Sequence, residues 1–322
     1  VRNTVHKPVL IAHGGAGVRT PVSERAERRR ALISAVETGL VVLRGGGSAL
    51  DAVTATVAAL ENHHLFNAGF GSVLTREGRV EMDAAVMVAE CQDSIAEGSA
   101  DAQKRAITRI RAGGVVLVSR VYNPVLLARC VMERTPHVLI AGSAAERLAR
   151  EAGIRMCRPE QLITDRARSR WFASLKSPKS ALQEHGTVGA AALDRAGNLA
   201  AATSTGGVSG KMPGRVGDSA LIGAGLFANS RGAASATGAG EAIMKAGLCR
   251  EAVRLTPRLG VQEAAQRAIE ELHGATGGEA GVIIVDSRGR LGYAHNAQAM
   301  EIALLAPSGE IEHLAVPATK KV

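Results

Sequence analysis

The chain alternates between short apolar runs and longer amphipathic ones, and the switch of period marks most of its elements. Pro8 to Ala12 is a short apolar run, read as a strand, that ends in the glycine-rich turn His13-Gly14-Gly15-Ala16-Gly17. Ser23 reads as the cap of a charged run to about Leu43, in which Ala31, Ile33, Ala35, Val36 and Leu40 are apolar. That spacing predicts a helix stopped by Gly45-Gly46-Gly47. Ser48 and Asp51 have capping-box spacing for a second helix through about Asn62. A compact loop spans His63 to Gly71, and strands are expected over 72–75 and 80–88. Asp83 falls inside the second of these strands, where a lone carboxylate needs a partner. Residues 91–114 are polar and basic, with a short helix expected over 102–111. A strand over 115–121, a helix from Pro124, a strand over 138–140 and a helix from Ser143 follow. Proline suits the first turn of the helix it opens. The mixed-charge stretch 159–186 reads as an exposed linker, helical at most at its start.

From Thr187 the pattern sharpens. Residues 187–193 and 199–205 read as strands joined by Asp194-Arg195-Ala196-Gly197-Asn198. A glycine-rich loop runs from 206 to 219 and carries Lys211, Arg215 and Asp218. Strands are expected over 221–228 and 232–237, helices from Gly238 to about Leu248 and over 262–272, and two closing strand pairs. Helices flanking two mostly antiparallel sheets predict one α/β domain over 1–322, layered as an αββα sandwich.

Composition narrows this. Aromatic residues make up only 2% of the chain, beside 37 glycines. The core must therefore be thin layers of Ala, Val, Leu and Ile, not an aromatic-lined barrel or a base-stacking surface. The net charge of +9 lies almost wholly before Thr187, which reads as an anion footprint or as solvated helix faces. With no nucleic-acid motif, no nucleic-acid partner is expected. The four cysteines are scattered without zinc or disulfide spacing. No apolar run reaches the ~18 residues of a membrane span, and no signal-peptide pattern stands at Val1, so a soluble cytoplasmic protein is expected. His63-His64 raises a transition-metal reading. Adjacent residues of an extended chain point to opposite sides, and no acidic residue stands at ligand spacing, so no such site is expected.

The candidate chemistry centres on His185-Gly186-Thr187-Val188-Gly189. Gly186 leaves its carbonyl open to the next hydroxyl and tolerates strained geometry. Thr187 opens an apolar strand, and Thr205 ends the strand expected beside it. Cleavage before Thr187 would leave a free α-amine, with an ordinary pKa near ~8. That amine could serve the Thr187 hydroxyl as a base.

The motifs His13–Gly17, Phe66-Asn67-Ala68-Gly69, Glu81-Met82-Asp83-Ala84, Asn123-Pro124, Gly186–Ala190, Thr203–Gly207, Pro213–Ser219 and Thr237–Glu241 occur in this order. Together they resemble the plant-type asparaginase / isoaspartyl peptidase family of N-terminal-nucleophile threonine hydrolases, over nearly the whole chain. The resemblance implies self-cleavage into 1–186 and 187–322, with Thr187 as nucleophile. It implies that Thr205 hydrogen-bonds the nucleophile region, and that Thr237 and the Gly238 N–H form the oxyanion hole. Arg215 would bind a substrate α-carboxylate and Asp218 its α-ammonium, with Asn67 and Gly240 close by. It further implies a sodium loop of main-chain carbonyls at Leu60, Glu61, His63, Phe66, Ala68 and Phe70, no required cofactor, and a dimer of cleaved heterodimers. The expected substrates are L-asparagine and β-aspartyl dipeptides. The segment after Met87 departs from the family pattern, and Ala239 stands where a second threonine is common. A rival reading is an uncleaved or non-catalytic relative that binds an amino acid or a protein through the same fold.

Overall fold

The computed structural model describes residues 6–17, 20–92, 107–176, 186–306, 309–316 and 318. An eight-stranded sheet lies against a four-stranded one, and helices cover both outer faces. The large sheet is built from β1 (Val9–Gly17), β2 (Met82–Gln92), β3 (Ile107–Val118), β4 (Leu139–Ala141), β5 (Val188–Leu193) and β6 (Leu199–Thr205), with β11 (Ala299–Leu305) and β12 (Ile311–Ala315) at one edge. Its order is β12-β11-β1-β5-β6-β2-β3-β4. The small sheet comprises β7 (Leu226–Asn229), β8 (Gly232–Gly238), β9 (Ala280–Asp286) and β10 (Leu291–His295), in the order β10-β9-β8-β7. Every pairing between these strands is antiparallel except β3 with β4.

Apolar cores hold the layers together. Helices α1 (Val22–Arg44) and α2 (Ala49–Glu61) bury Leu32, Val36, Leu40, Val53 and Val57 against one face of the large sheet. The two sheets meet through Ile11, Leu193, Leu199, Ile283 and Val285. Helices α6 (Gly240–Ala246), α7 (Leu248–Leu259) and α8 (Val261–Thr276) cover the small sheet through Ile243, Val253, Ile269 and Leu272. The αββα layering is thus the observed one. Small side chains permit the close spacing. In β5 and β6, alanines 190, 191 and 192 lie opposite alanines 202, 201 and 200. A Cβ on Gly39 would come within 2.2 Å of Thr56 Oγ1, so α1 and α2 touch backbone to side chain.

The capping box forms as expected, with Asp51 N donating to Ser48 Oγ (3.1 Å) and Ser48 N to Asp51 Oδ2 (3.2 Å). Other expectations change. Residues 107–111 are strand, not helix; 102–106 lie outside the described residues. Here β3 pairs with β2 along its whole length, and tertiary pairing overrides a polar local pattern. Residues 223–225 are turn, Ile222 makes only an isolated bridge, and β7 starts at Leu226. Ser23 does not cap α1, whose N-cap is Pro21.

The stretch 159–176 is not an exposed linker. It holds a 3-10 turn (Pro159–Leu162) and α5 (Asp165–Lys176). Ala167 and Ser174 are buried, and Trp171 Nε1 donates to Arg76 O at 3.3 Å. These three residues recur at helical spacing and give α5 one docked face. Residues 177–185, including His185, lie outside the described residues. The helices α3 (Pro124–Arg134) and α4 (Gly142–Glu151) pack beside β3.

Candidate active site

Sheet register brings the candidate residues to one end of the large sheet. Val188 pairs with Ser204, so Thr187 stands level with Thr205 on the neighbouring strand. Thr205 in turn lies opposite Asp83 on β2. The small sheet contributes the end of β8, Thr237 and Gly238. Gly186, Thr187, Thr205, Arg215, Asp218, Ser219 and Gly238 line one small pocket. Two other depressions, one along α8 and one between β10 and β12, are lined by different residues.

Thr187 is buried, and its Oγ1 lies 3.2 Å from Ser219 Oγ. Ser219 is fully buried, and its carbonyl accepts from Thr203 Oγ1 at 2.5 Å. It is the contact that sequence reasoning missed. It follows Asp218 directly, and only the turn at 218–219 aims it at Thr187. Thr205 lines the same pocket, but its Oγ1 accepts from Gly207 N (2.9 Å) and does not bond Thr187. A threonine ending a strand can cap the turn after it, and that local bond wins here.

Thr237 Oγ1 accepts from Ala16 N at 3.1 Å, so its own proton remains available to an oxyanion. Gly238 has φ +140°, and a Cβ there would lie 2.5 Å from Glu279 O. Asn67 packs on the junction at 186–187: a Cβ on Gly186 would fall 2.8 Å from Asn67 Cβ. Its amide is held from both sides, Nδ2 donating to Gly207 O (2.7 Å) and Oδ1 accepting from Val73 N (2.9 Å).

Arg215 grips Glu241 through two bonds, Nε to Oε1 (3.0 Å) and Nη2 to Oε2 (2.8 Å). That planar fork is the geometry by which a guanidinium takes any carboxylate. Asp218 is buried, and its Oδ2 has no hydrogen-bond partner among the described residues. Burial pushes its carboxyl up to about 7, against the pull of its own backbone and of Arg215. Gly240 is required beside them, because a Cβ there would lie 2.8 Å from Arg215 Nη2 and 2.9 Å from Asp218 Oδ1.

The loop that carries Arg215 and Asp218 is pinned from beneath by the start of β2. Glu81 O accepts from Lys211 Nζ (2.8 Å), and Glu81 Oε2 from Gly214 N (2.9 Å). The buried Asp83 carboxyl accepts from Gly217 N (3.4 Å) and from Leu117 N (3.0 Å). Leu117 is the one non-glycine residue of positive φ among those described. Burial raises the Asp83 carboxyl and lowers the Lys211 ammonium, while each opposes the other's shift. Asp83 thus has its partners, supplied by β3 and the 206–219 loop.

The expected sodium loop is closed on itself. Phe70 N donates to Glu61 O (2.7 Å), His63 N to Leu60 O (3.1 Å) and Phe66 N to His63 O (3.1 Å). Cβ atoms at Gly69 and Gly71 would lie 2.5 Å from Glu61 O and 2.6 Å from Phe66 O. Carbonyl oxygens therefore crowd the inside of the turn, and each keeps a second lone pair. That donor set fits a hard monovalent cation. The Glu61 side chain is buried and takes Val125 N (2.9 Å) and Asn123 Nδ2 (3.1 Å), tying α2 to the first turn of α3. Burial pushes its carboxyl to about 7.

His63 and His64 do not diverge. The chain turns here, and the rings stack at 4.9 Å with an 18° angle. An acidic partner, Glu27, comes from α1.

The layered αββα sandwich, with Thr187 heading a central strand and lining one pocket with Arg215 and Asp218, has the architecture of the N-terminal-nucleophile hydrolases. The asparaginase family model matches residues 6–315. The isoaspartyl peptidase of Escherichia coli is 41% identical over 311 residues, covering 91% of each chain. The isoaspartyl peptidase/L-asparaginase of Xenopus laevis is 42% identical over 288 residues, 88% of this chain and 87% of its own. The plant-type L-asparaginase of Pyrobaculum calidifontis is 42% identical over 304 residues, 90% and 94% respectively. The chain belongs to the asparaginase family.

Proposed function

We propose that this protein is an amidohydrolase acting on L-asparagine and β-aspartyl dipeptides, with Thr187 as nucleophile once the bond after Gly186 is cut. The observation that carries this is the convergence of Thr187, Arg215, Asp218 and Gly238 on one small pocket. The substrate's α-carboxylate would displace Glu241 from the Arg215 fork, and its α-ammonium would sit on Asp218. This leaves the β-carbonyl at Thr187. The freed α-amine takes the hydroxyl proton, Oγ1 attacks, and an acyl ester forms as ammonia or an amino acid leaves. Water then hydrolyses the ester. The Gly238 N–H and the Thr237 hydroxyl stabilise the oxyanion; a donor of this kind is worth ~3 kcal/mol. Ser219 orients the Thr187 hydroxyl.

The main-chain carbonyls of Leu60, Glu61, His63, Phe66, Ala68 and Phe70 would hold a sodium ion that stiffens the loop bearing Asn67. The cleaved halves are expected to pair as a dimer of heterodimers. No helix among the described residues is long and apolar enough to cross a membrane. None of the four cysteines is in a disulfide, which suits a reducing, cytoplasmic setting.

The test is intact mass under denaturing conditions, with ammonia release from L-asparagine and amino-acid release from a β-aspartyl dipeptide. Two fragments ending and starting at residues 186 and 187, with hydrolysis, are expected. One whole chain without hydrolysis overturns the proposal in favour of a binding protein of the same fold.

Asp83 acts through the loop it holds. In Asp83→Asn the counter-charge of Lys211 is lost, and an amide N–H can face the Gly217 N–H. Losing hydrogen bonds to a charged group costs about 1.5–3 kcal/mol. The expected result is a rise in KM of roughly ten- to a hundredfold with a smaller change in kcat. Steady-state kinetics on L-asparagine read this split, and an unchanged KM would confine Asp83 to a folding role.

A further inference from the structure

The side chains of Glu27, His63 and His64 lie outside the pocket and have no part in the chemistry above. Glu27 Oε1 stands 3.7 Å from His63 Nε2 and 3.6 Å from His64 Nε2. One ring nitrogen of each histidine and one Glu27 carboxylate oxygen lie within 4.8 Å of one another. These gaps are too long for hydrogen bonds. They are close to the ~3.3–3.5 Å that separates two ligands on a tetrahedral ion with bonds of ~2.0–2.1 Å. Both ring nitrogens stand near the same carboxylate oxygen, and the two rings are stacked on one another. Two imidazoles and one carboxylate form a donor set that suits zinc and leaves one position for water.

We infer that Glu27, His63 and His64 form a binding site for a divalent transition ion, zinc being the best match. Its chemistry is distinct from the carbonyl loop beside it, since imidazole nitrogen selects against sodium. The site joins α1 to the turn that leads into Asn67. Arg28, the next residue on α1, already fastens the same turn by donating to Leu65 O (2.6 Å) and to Gly14 O. A bound ion would be a second fastening there. One local bond gives way: Leu65 N donates to His63 Nδ1 at 3.3 Å. An imidazole bound through Nε2 carries its proton on Nδ1 and cannot accept it.

The experiment is calorimetric titration of the full, tag-free protein with Zn²⁺ in sodium chloride buffer, paired with melting scans. One zinc per chain and a rise in melting temperature are expected. His64→Ala alters a partly exposed side chain, and Glu27→Gln keeps its shape, so both should fold as the parent does. Each should weaken zinc at least tenfold, since loss of a mere outer partner of a ligand already costs ~10–100-fold. Each should also abolish the melting shift. With Co²⁺ in place of zinc, the parent should show intense tetrahedral absorption that His64→Ala lacks. Zinc bound equally by both variants, no zinc bound by the parent, or zinc displaced by sodium would each overturn the assignment.

Discussion

Replacing Thr187 by alanine is expected to leave a folded, uncut chain without hydrolytic activity. The hydroxyl is needed twice, first against the Gly186 carbonyl and then against substrate. The substitution removes both steps at once, so the loss should be on the order of 10⁴-fold or more. Folding should survive, because among the described residues the Thr187 hydroxyl has one hydrogen-bond partner, at 3.2 Å, worth about 1 kcal/mol. Thr187→Ser keeps the hydroxyl and should still cleave, more slowly. Intact mass and ammonia release from L-asparagine measure the two functions separately. An active Thr187→Ala protein would sink the assignment of the nucleophile.

The second large effect is expected at Asp218, and it runs in opposite directions for activity and stability. Burial holds this carboxyl at about 7 in the fold, against an ordinary value of 3.8. Between those values the folded state binds more protons than the unfolded one, so stability falls as pH rises. That contribution is fully present below about pH 4 and is lost as pH climbs through about 7. Glu61, pushed to about 7 from 4.5, adds to the same trend. Asp218→Asn removes its share, so the variant should melt higher than the parent at pH 8 and no higher at pH 4. The gain is at most a few kcal/mol. The same variant loses the anion that meets the substrate ammonium and should lose about 10²–10³-fold in kcat/KM. In the parent, kcat/KM should rise through about pH 7 as Asp218 ionises. A variant less stable than the parent at pH 8 would show that Asp218 is paired in the fold and not held for a ligand.

Much of this architecture can be read in the residues themselves. The periodicities of α1, α2 and α3 and the apolar runs of β1, β5 and β6 place those elements within a few residues. Each is long or strongly patterned, and its local preference agrees with its buried face. The capping box at Ser48 is complete within four residues and needs no distant partner. Elements whose local pattern conflicts with their packing are not legible. The front of β3 is polar, yet Gly113 and Gly114 let α3 and β4 lie against it; a Cβ on Gly113 would be 2.3 Å from Ala128 O. The helix α7 carries Pro257 and three arginines. It is a helix because Leu248, Val253 and Leu255 bury against the small sheet.

The order of short motifs by itself determined the family and singled out Thr187, Arg215 and Asp218, because a backbone reaction needs a glycine, a hydroxyl and a strand in one short stretch. Only the tertiary structure decided that Thr187 meets Ser219, that Arg215 holds Glu241, that Asp83 underpins the recognition loop, and that His63 and His64 face Glu27. Those partners stand 26 to 134 residues apart in the chain where a bond records them. The register of two sheets and the packing of α1 bring them together, and no local spacing encodes that.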